Sequence, residues 1–208
     1  MSETVENTPP LKALVLAGGK SRRMGEDKAK LVFEGKTLLS HILSLLDPLV
    51  EETFISLREG QAMPKEAMQA DIAAIYDKYG EIGPAAAILT ALEKQPDSAW
   101  LVVAVDLPLL DEHTLELLIQ ERDPSKLATA FLSSTAGHAG QPEPLCAIYE
   151  PDIRDTLKAS VIEQEIYCPR CILNNLESQS KFIPLRNPKA LTNVNTPEEF
   201  DRARMKGF

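Results

Sequence analysis

Two glycines followed at once by cations are the strongest chemical signal in the chain. From Leu14 to Lys28 it reads LVLAGGKSRRMGEDK: an apolar run stops at Gly18-Gly19 and gives way to Lys20, Arg22 and Arg23, then to Gly25, Asp27 and Lys28. Glycine allows positive φ and close backbone approach, so successive N–H groups can converge on phosphate oxygens. Arg22 or Arg23 can hold two phosphate oxygens in a bidentate fork, while Lys20 and Lys28 act as compact point charges. The spacing is neither G-x-x-x-x-G-K-[ST] nor G-x-G-x-x-G. Its physical reading is a buried strand delivering a phosphate-binding loop. Two carboxylates stand at comparable places further on, Asp106 after the apolar run 99–105 and Asp77 after the run 71–76. A carboxylate beside phosphates makes a magnesium site, because Mg²⁺ prefers oxygen ligands and is often held by one or two carboxylates together with substrate phosphates.

Those residues need elements to position them. Leu31–Phe33 reads as a short strand before a turn at Glu34-Gly35-Lys36, and Leu38, Leu39, Ile42, Leu45, Leu46 and Leu49 recur at helical spacing behind Thr37 as N-cap. Further strands are expected at 53–57, 71–76, 99–105, 127–132, 144–149 and 181–185, with helices at 64–69, from Pro84, after Asp111, at 152–158 and from Thr196-Pro197-Glu198-Glu199 to about Met205. Residues 160–180 are the least readable part of the chain. The run Ala99–Val105 is continuously apolar, as a central parallel strand buried on both faces requires. Strands alternating with helices imply βαβ units, hence an α/β fold with a three-layer, Rossmann-like, mostly parallel sheet. In such sheets ligands bind beyond the carboxyl ends of the strands, where strand order reverses. If the strands are neighbours, the phosphate loop and one or two carboxylates face each other across one cleft.

With 208 residues, one domain over 11–208 is the expectation, preceded by a loose arm at 1–10 that ends in two prolines. Lys plus Arg number 22 against 31 Asp plus Glu, a net charge of −9, which argues against the broad basic face that nucleic-acid binding needs. No apolar stretch reaches the length of a membrane span, and the first ten residues lack the regions of a signal peptide, so a cytoplasmic setting is expected. Three cysteines fit a reducing compartment. The pair in Cys168-Pro-Arg-Cys171 has the spacing of zinc and redox motifs, but the only obvious further zinc ligands are Cys146 and His138. The pair is therefore read as two thiols in a loop or short strand.

The string at 14–28 resembles the signature L-x-G-G-x-S-x-R-M-G-x-D-K of the MobA-like nucleotidyltransferases, and is closest to molybdenum cofactor guanylyltransferases. Leu16, Gly18, Gly19, Ser21, Arg23, Met24, Gly25, Asp27 and Lys28 carry the match. The resemblance extends to Gly83-Pro84, similar to the start of a G-P-L-x-G element with Ala87 in place of its last glycine. It also covers Pro144–Tyr149, similar to a P-L-C-A-x-Y strand that makes Cys146 a core residue, and the run from Asn193 to Glu199, similar to N-x-N-T-P-E-E.

The resemblance implies the nucleotide-diphospho-sugar transferase type of fold and transfer of GMP from GTP to molybdenum-loaded molybdopterin, with release of pyrophosphate. It implies catalytic roles for Arg23, Lys28 and Asp106, with Asp106 as the Mg²⁺ ligand. Nucleotide contacts fall to Leu16, Ala17, Gly18, Gly19, Lys28, Ser56, Asp77 and Asp106, with Ser56 standing where an asparagine is common. Asn193 and Asn195 would line the acceptor side, where Arg170 stands alone in a region that often holds paired arginines. An acceptor that is already an ionised phosphate needs no strong general base, in keeping with three histidines outside any recognisable motif. GTP and the pterin are the expected partners, with molybdoenzymes or cofactor-biosynthesis proteins beyond them and no nucleic acid or membrane. The alternatives are a cytidylyl- or sugar-nucleotidyltransferase on the same fold, or a nucleotide-binding module without turnover.

Overall fold

The computed structural model describes residues 8–17, 29, 31–80, 82–134, 137–194 and 196–206. Strand β1 (Leu11–Leu16) is followed by a two-strand hairpin, β2 (Val32–Phe33) and β3 (Lys36–Thr37), which turns at Glu34-Gly35, both at positive φ. Lys36 therefore belongs to a strand and not to the turn. Helix α1 (Leu38–Leu46) starts where the Thr37 hydroxyl accepts from the Ser40 amide, and it buries Leu38, Leu39, Ile42, Leu43 and Leu46. Each such side chain contributes about 1.5–3 kcal/mol on burial. The chain continues through β4 (Thr53–Leu57), α2 (Lys65–Gln69), β5 (Ala73–Tyr76), α3 (Pro84–Lys94), β6 (Ala99–Ala104) and α4 (Glu112–Gln120). After these come β7 (Ala128–Leu132), β8 (Pro142–Tyr149), α5 (Ile153–Lys158), α6 (Pro169–Asn175), β9 (Lys181–Pro184) and α7 (Pro197–Lys206).

Seven strands form the main sheet in the order β5-β4-β1-β6-β8-β7-β9. All run parallel except β8, which pairs antiparallel with both β6 and β7. The link from β7 to β8 explains the exception. It is too short for a parallel crossover, which takes a dozen residues or more, and it closes as a hairpin with the Ser133 amide on the Gln141 carbonyl at 2.7 Å. β8 begins at Pro142 rather than Pro144, because this pairing draws Pro142 and Glu143 out of the polar loop and into the sheet.

Side chains alternate across the central strands. Ala13, Val15, Leu101 and Val103 join one core with α1, α4 and α7, whereas Leu14, Trp100 and Val102 join a second core with α3, α5 and α6. The sheet is thus the middle of three layers, and every residue of β6 is buried. Residues 160–180 hold the largest departure from the sequence pattern. α5 runs on into a wide turn, Ala159–Glu163, and Cys168-Pro-Arg-Cys171 starts a helix instead of lying in a loop or strand. Proline at the first helical position suits that start. The signal is short, and only Pro169, Ile172 and Leu173 of α6 are buried.

Candidate functional site

Strand order reverses at β1. From β1 the chain steps outward to β4 and β5, then returns to the other side of β1 as β6. One row of the sheet passes through Ile75 of β5, Ser56 of β4, Leu16 of β1 and Ala104 of β6. The residues just beyond that row are Asp77, Arg58, Ala17 and Asp106, so the carboxyl edge of four strands presents them together. Such a reversal is where an open α/β sheet leaves a crevice for a ligand.

Beside the reversal, the Val105 amide donates to the Leu16 carbonyl at 3.3 Å, which ties the exit of β6 to the exit of β1. Asp106 follows immediately. Its Oδ1 accepts from Asn193 Nδ2 at 3.0 Å, and its main-chain carbonyl accepts from the Val194 amide at 3.0 Å. Val194 is fully buried in the core beneath. A segment 87 residues further along the chain therefore holds the carboxylate in one orientation. Asn193, assigned to the acceptor side by resemblance, sits directly against Asp106.

On the other side of β4, the buried Ser56 hydroxyl donates to Asp77 Oδ1 at 2.9 Å, and the Asp77 amide donates to the Leu57 carbonyl at 2.9 Å. Burial raises the Asp77 pKa above its ordinary value, partly offset by the Ser56 bond and the nearby Arg58 charge. A cavity of about 620 Å³ opens here, lined by Glu59, Gly60, Gln61, Tyr76, Asp77 and Lys78. Lys78 is itself held at 2.8 Å by Glu93 of α3. Asp77 and Asp106 do not share one metal site: β5 and β6 are separated by β4 and β1, three strand spacings or roughly 14 Å. Among the described residues no three His, Cys, Asp or Glu side chains gather as a metal cluster.

Gly18, Gly19, Arg23, Lys28 and Asn195 lie outside the described residues, as do Lys20 and Arg22. Leu16 and Ala17 lead directly to them from the reversal point. Gln61 is a residue the sequence did not single out. Its Nε2 donates to the Ala17 carbonyl at 3.4 Å and its Oε1 accepts from the Arg58 amide at 3.1 Å, bridging the exits of β1 and β4. No motif surrounds Gln61, so only the sheet order reveals it. Gly83, which precedes α3, adopts a φ of 104° that disfavours any side chain. A Cβ there would stand 3.8 Å from the Tyr167 carbonyl, so the turn before α3 adjoins the segment before α6.

A reversal point where one strand leads in sequence into a glycine-rich, cationic stretch and its neighbour leads into an oriented carboxylate fits a nucleotidyl-transferring α/β enzyme. Residues 13–179 match the MobA-like NTP transferase domain, and the chain belongs to that family. A molybdenum cofactor biosynthesis bifunctional protein from Synechocystis is 34% identical over 92% of this chain, which spans about half (53%) of that relative's length. A molybdenum cofactor guanylyltransferase from Rhizobium meliloti is 32% identical over 94% of this chain and 90% of its own. Among solved structures, molybdopterin-guanine dinucleotide biosynthesis protein A from Archaeoglobus fulgidus superposes with a TM-score of 0.72 at 26% identity, covering 93% of this chain and 97% of its own.

Proposed function

We propose that the chain is a molybdenum cofactor guanylyltransferase: it transfers GMP from GTP to molybdenum-loaded molybdopterin and releases pyrophosphate. The observation that carries this reading is the pairing of Leu16 with Ala104 in the central sheet, which sets the end of the strand preceding the glycine-rich, cationic stretch beside the end of the strand preceding Asp106. The named relatives support the choice of guanine nucleotide and pterin acceptor. No helix is long and apolar enough to cross a membrane among the described residues; the proposed setting is the cytoplasm, where GTP is available.

In this reading a phosphate oxygen of the acceptor attacks the α-phosphorus of GTP, and the bond to the bridging oxygen of the β-phosphate breaks. The Gly18 and Gly19 amides with Arg23 and Lys28 hold the triphosphate and take up the charge of the leaving pyrophosphate. Positioning and electrostatics account for nearly all of such a reaction, with little covalent help from the protein. Asp106, turned by Asn193, is the proposed Mg²⁺ ligand. An oriented carboxylate suits a hard cation whose other ligands include substrate phosphates and water. When bound, the ion neutralises phosphate charge. Ser56 and Asp77 stand on the nucleotide side beside the 620 Å³ cavity, with Leu16 and Ala17 as main-chain contacts. Asn193 and Asn195 are the proposed acceptor-side residues.

The deciding experiment is pyrophosphate release from GTP and from CTP with Mg²⁺, with and without molybdenum-loaded molybdopterin. Release that requires both GTP and the pterin is expected. Pterin-dependent release with CTP alone would move the chain to the cytidylyl branch of the fold, and release from neither would overturn the acceptor.

A further inference from the structure

Three cysteines occupy two contrasting environments. Cys146 lies within β8 at 2% exposure, and burial pushes its thiol up to about 12. Cys168 and Cys171 are both exposed, on the first turn of α6. Cys168 Sγ lies 3.4 Å from the Cys171 amide nitrogen and accepts its hydrogen, so the sulfur already leans over the residue that would be its disulfide partner. Neither thiol contributes to either core.

The turn that carries them is anchored by other groups. Arg170, between the two cysteines, donates to the Pro142 carbonyl at 3.1 Å and to Glu143 at 2.9 Å, while Pro169, Ile172 and Leu173 are buried. The sulfur atoms can therefore change partners without unseating α6. Burial alone would raise the Cys168 thiol; hydrogen bonds from the Cys171 thiol and from the Cys171 and Arg170 amides, with the Arg170 charge, hold it below its ordinary value. Cys171 is shifted upward, first by the thiol hydrogen bond it shares with Cys168 and then by burial. One member is thus disposed to ionise and attack while the other keeps its proton, the division of labour of a reactive and a resolving thiol.

We propose that Cys168 and Cys171 form a redox-active dithiol that closes to an intramolecular disulfide by exchange with a low-molecular-weight disulfide of the glutathione class. The Cys168 thiolate attacks one sulfur of the disulfide RSSR, forming Cys168–S–S–R and expelling RS⁻, which takes a proton from water. Cys171 gives up its proton and attacks the Cys168 sulfur, expelling the second RS⁻, which is protonated in turn. Two protein thiols are oxidised and one RSSR is reduced to two RSH. The site is independent of the nucleotide reading, although the Tyr167 carbonyl just before it stands against Gly83.

The full chain is incubated with oxidised glutathione, quenched with iodoacetamide and read by intact and peptide mass. The expected product has lost two hydrogens, carries the link between Cys168 and Cys171, keeps a free Cys146, and returns to three thiols with dithiothreitol. Cys171→Ser should stop at one glutathione adduct on Cys168, whereas Cys168→Ser should form no intramolecular link. In the reduced wild-type chain at neutral pH, Cys168 should alkylate several-fold faster than Cys171. A stable glutathione adduct in the wild-type chain, full alkylation of both cysteines after oxidant, or equal alkylation rates would each overturn the proposal.

Discussion

At the amino ends of the parallel strands, the Arg122 guanidinium makes two bonds to Glu150, at 2.7 and 2.8 Å, and a third to the Pro9 carbonyl at 2.8 Å. At the carboxyl ends, Asp77 and Asp106 accept from the Ser56 hydroxyl and the Asn193 amide, both neutral. Each edge has a cavity of about 620 Å³; the one at the amino edge is lined by Pro9, Pro10, Pro96, Pro124, Glu150 and Pro151 among others. Cavity size therefore does not distinguish the edges, but the treatment of charge does. Glu150 and Arg122 satisfy each other inside the fold, with side chains 1% and 10% exposed. At the carboxyl edge, by contrast, a hydroxyl and an amide orient the two carboxylates, and burial holds Asp77 above its ordinary pKa despite the nearby Arg58 charge. The amino edge holds the structure together, and the carboxyl edge is where the proposed function sets the cation and the phosphates.

Removing one partner from each arrangement should break this contrast in opposite ways. Glu150→Ala strands the buried Arg122 charge and should cost about 3–5 kcal/mol of stability, read by urea unfolding. Pyrophosphate release per folded molecule should stay at the wild-type level. Asp106→Ala should do the reverse, lowering turnover by about 10²–10³ with an unchanged unfolding midpoint. A full loss of folding in that variant would show that the carboxylate is structural. Asn193→Ala leaves the carboxylate present but unheld, and should lower activity by about 10–100-fold, the usual effect of releasing a group that orients a metal ligand. Added Mg²⁺ should recover part of the loss in Asn193→Ala and none in Asp106→Ala.

The smallest effect concerns Asp77. Its pKa is raised from the ordinary 3.8 by burial, so the native state binds this proton more tightly than the unfolded chain does. The resulting stabilisation is present below the unfolded value and lost as pH rises through the native one. Asp77→Asn keeps an oxygen for the Ser56 hydroxyl and removes the titration. Its stability relative to wild type should rise between about pH 3 and pH 7, measured by denaturant unfolding across that range, while the KM for GTP increases at neutral pH. A pH-independent stability difference would mean that Asp77 is not the group burial disfavours.

Much of the molecule was readable along the chain because its signals are local. Thr37 before a leucine-rich heptad pattern, Gly83-Pro84 before alanines, Asp111 before Leu115 and Leu118, and Thr196 before Pro197 each mark a helix start with groups a few residues apart. Thr53–Leu57 appeared as a strand with its observed limits, and β6 ended at Ala104, one residue before the expected Val105, which is still buried. The region 160–180 was opaque for the converse reason: α6 has three buried residues and is fixed by Arg170 reaching back to Pro142 and Glu143, contacts without a local period. The same limit hid the antiparallel sense of β8, which depends on which neighbours its edges find.

The amino-acid sequence by itself determined the alternation of strands and helices, the glycine-rich cationic motif that marks the family, and the carboxylates at two strand ends. Hydrophobic period, capping residues and motif spacing act over a few residues, so they survive as pattern in one dimension. Only the tertiary structure decided that strand order reverses at β1, that Asp106 stands beside Leu16 while Asp77 lies across β4, and that Asn193 and Gln61 hold the two flanks of the crevice. Those facts come from pairing between residues 19 to 88 positions apart, and contacts of that reach form together as both cores close on the sheet.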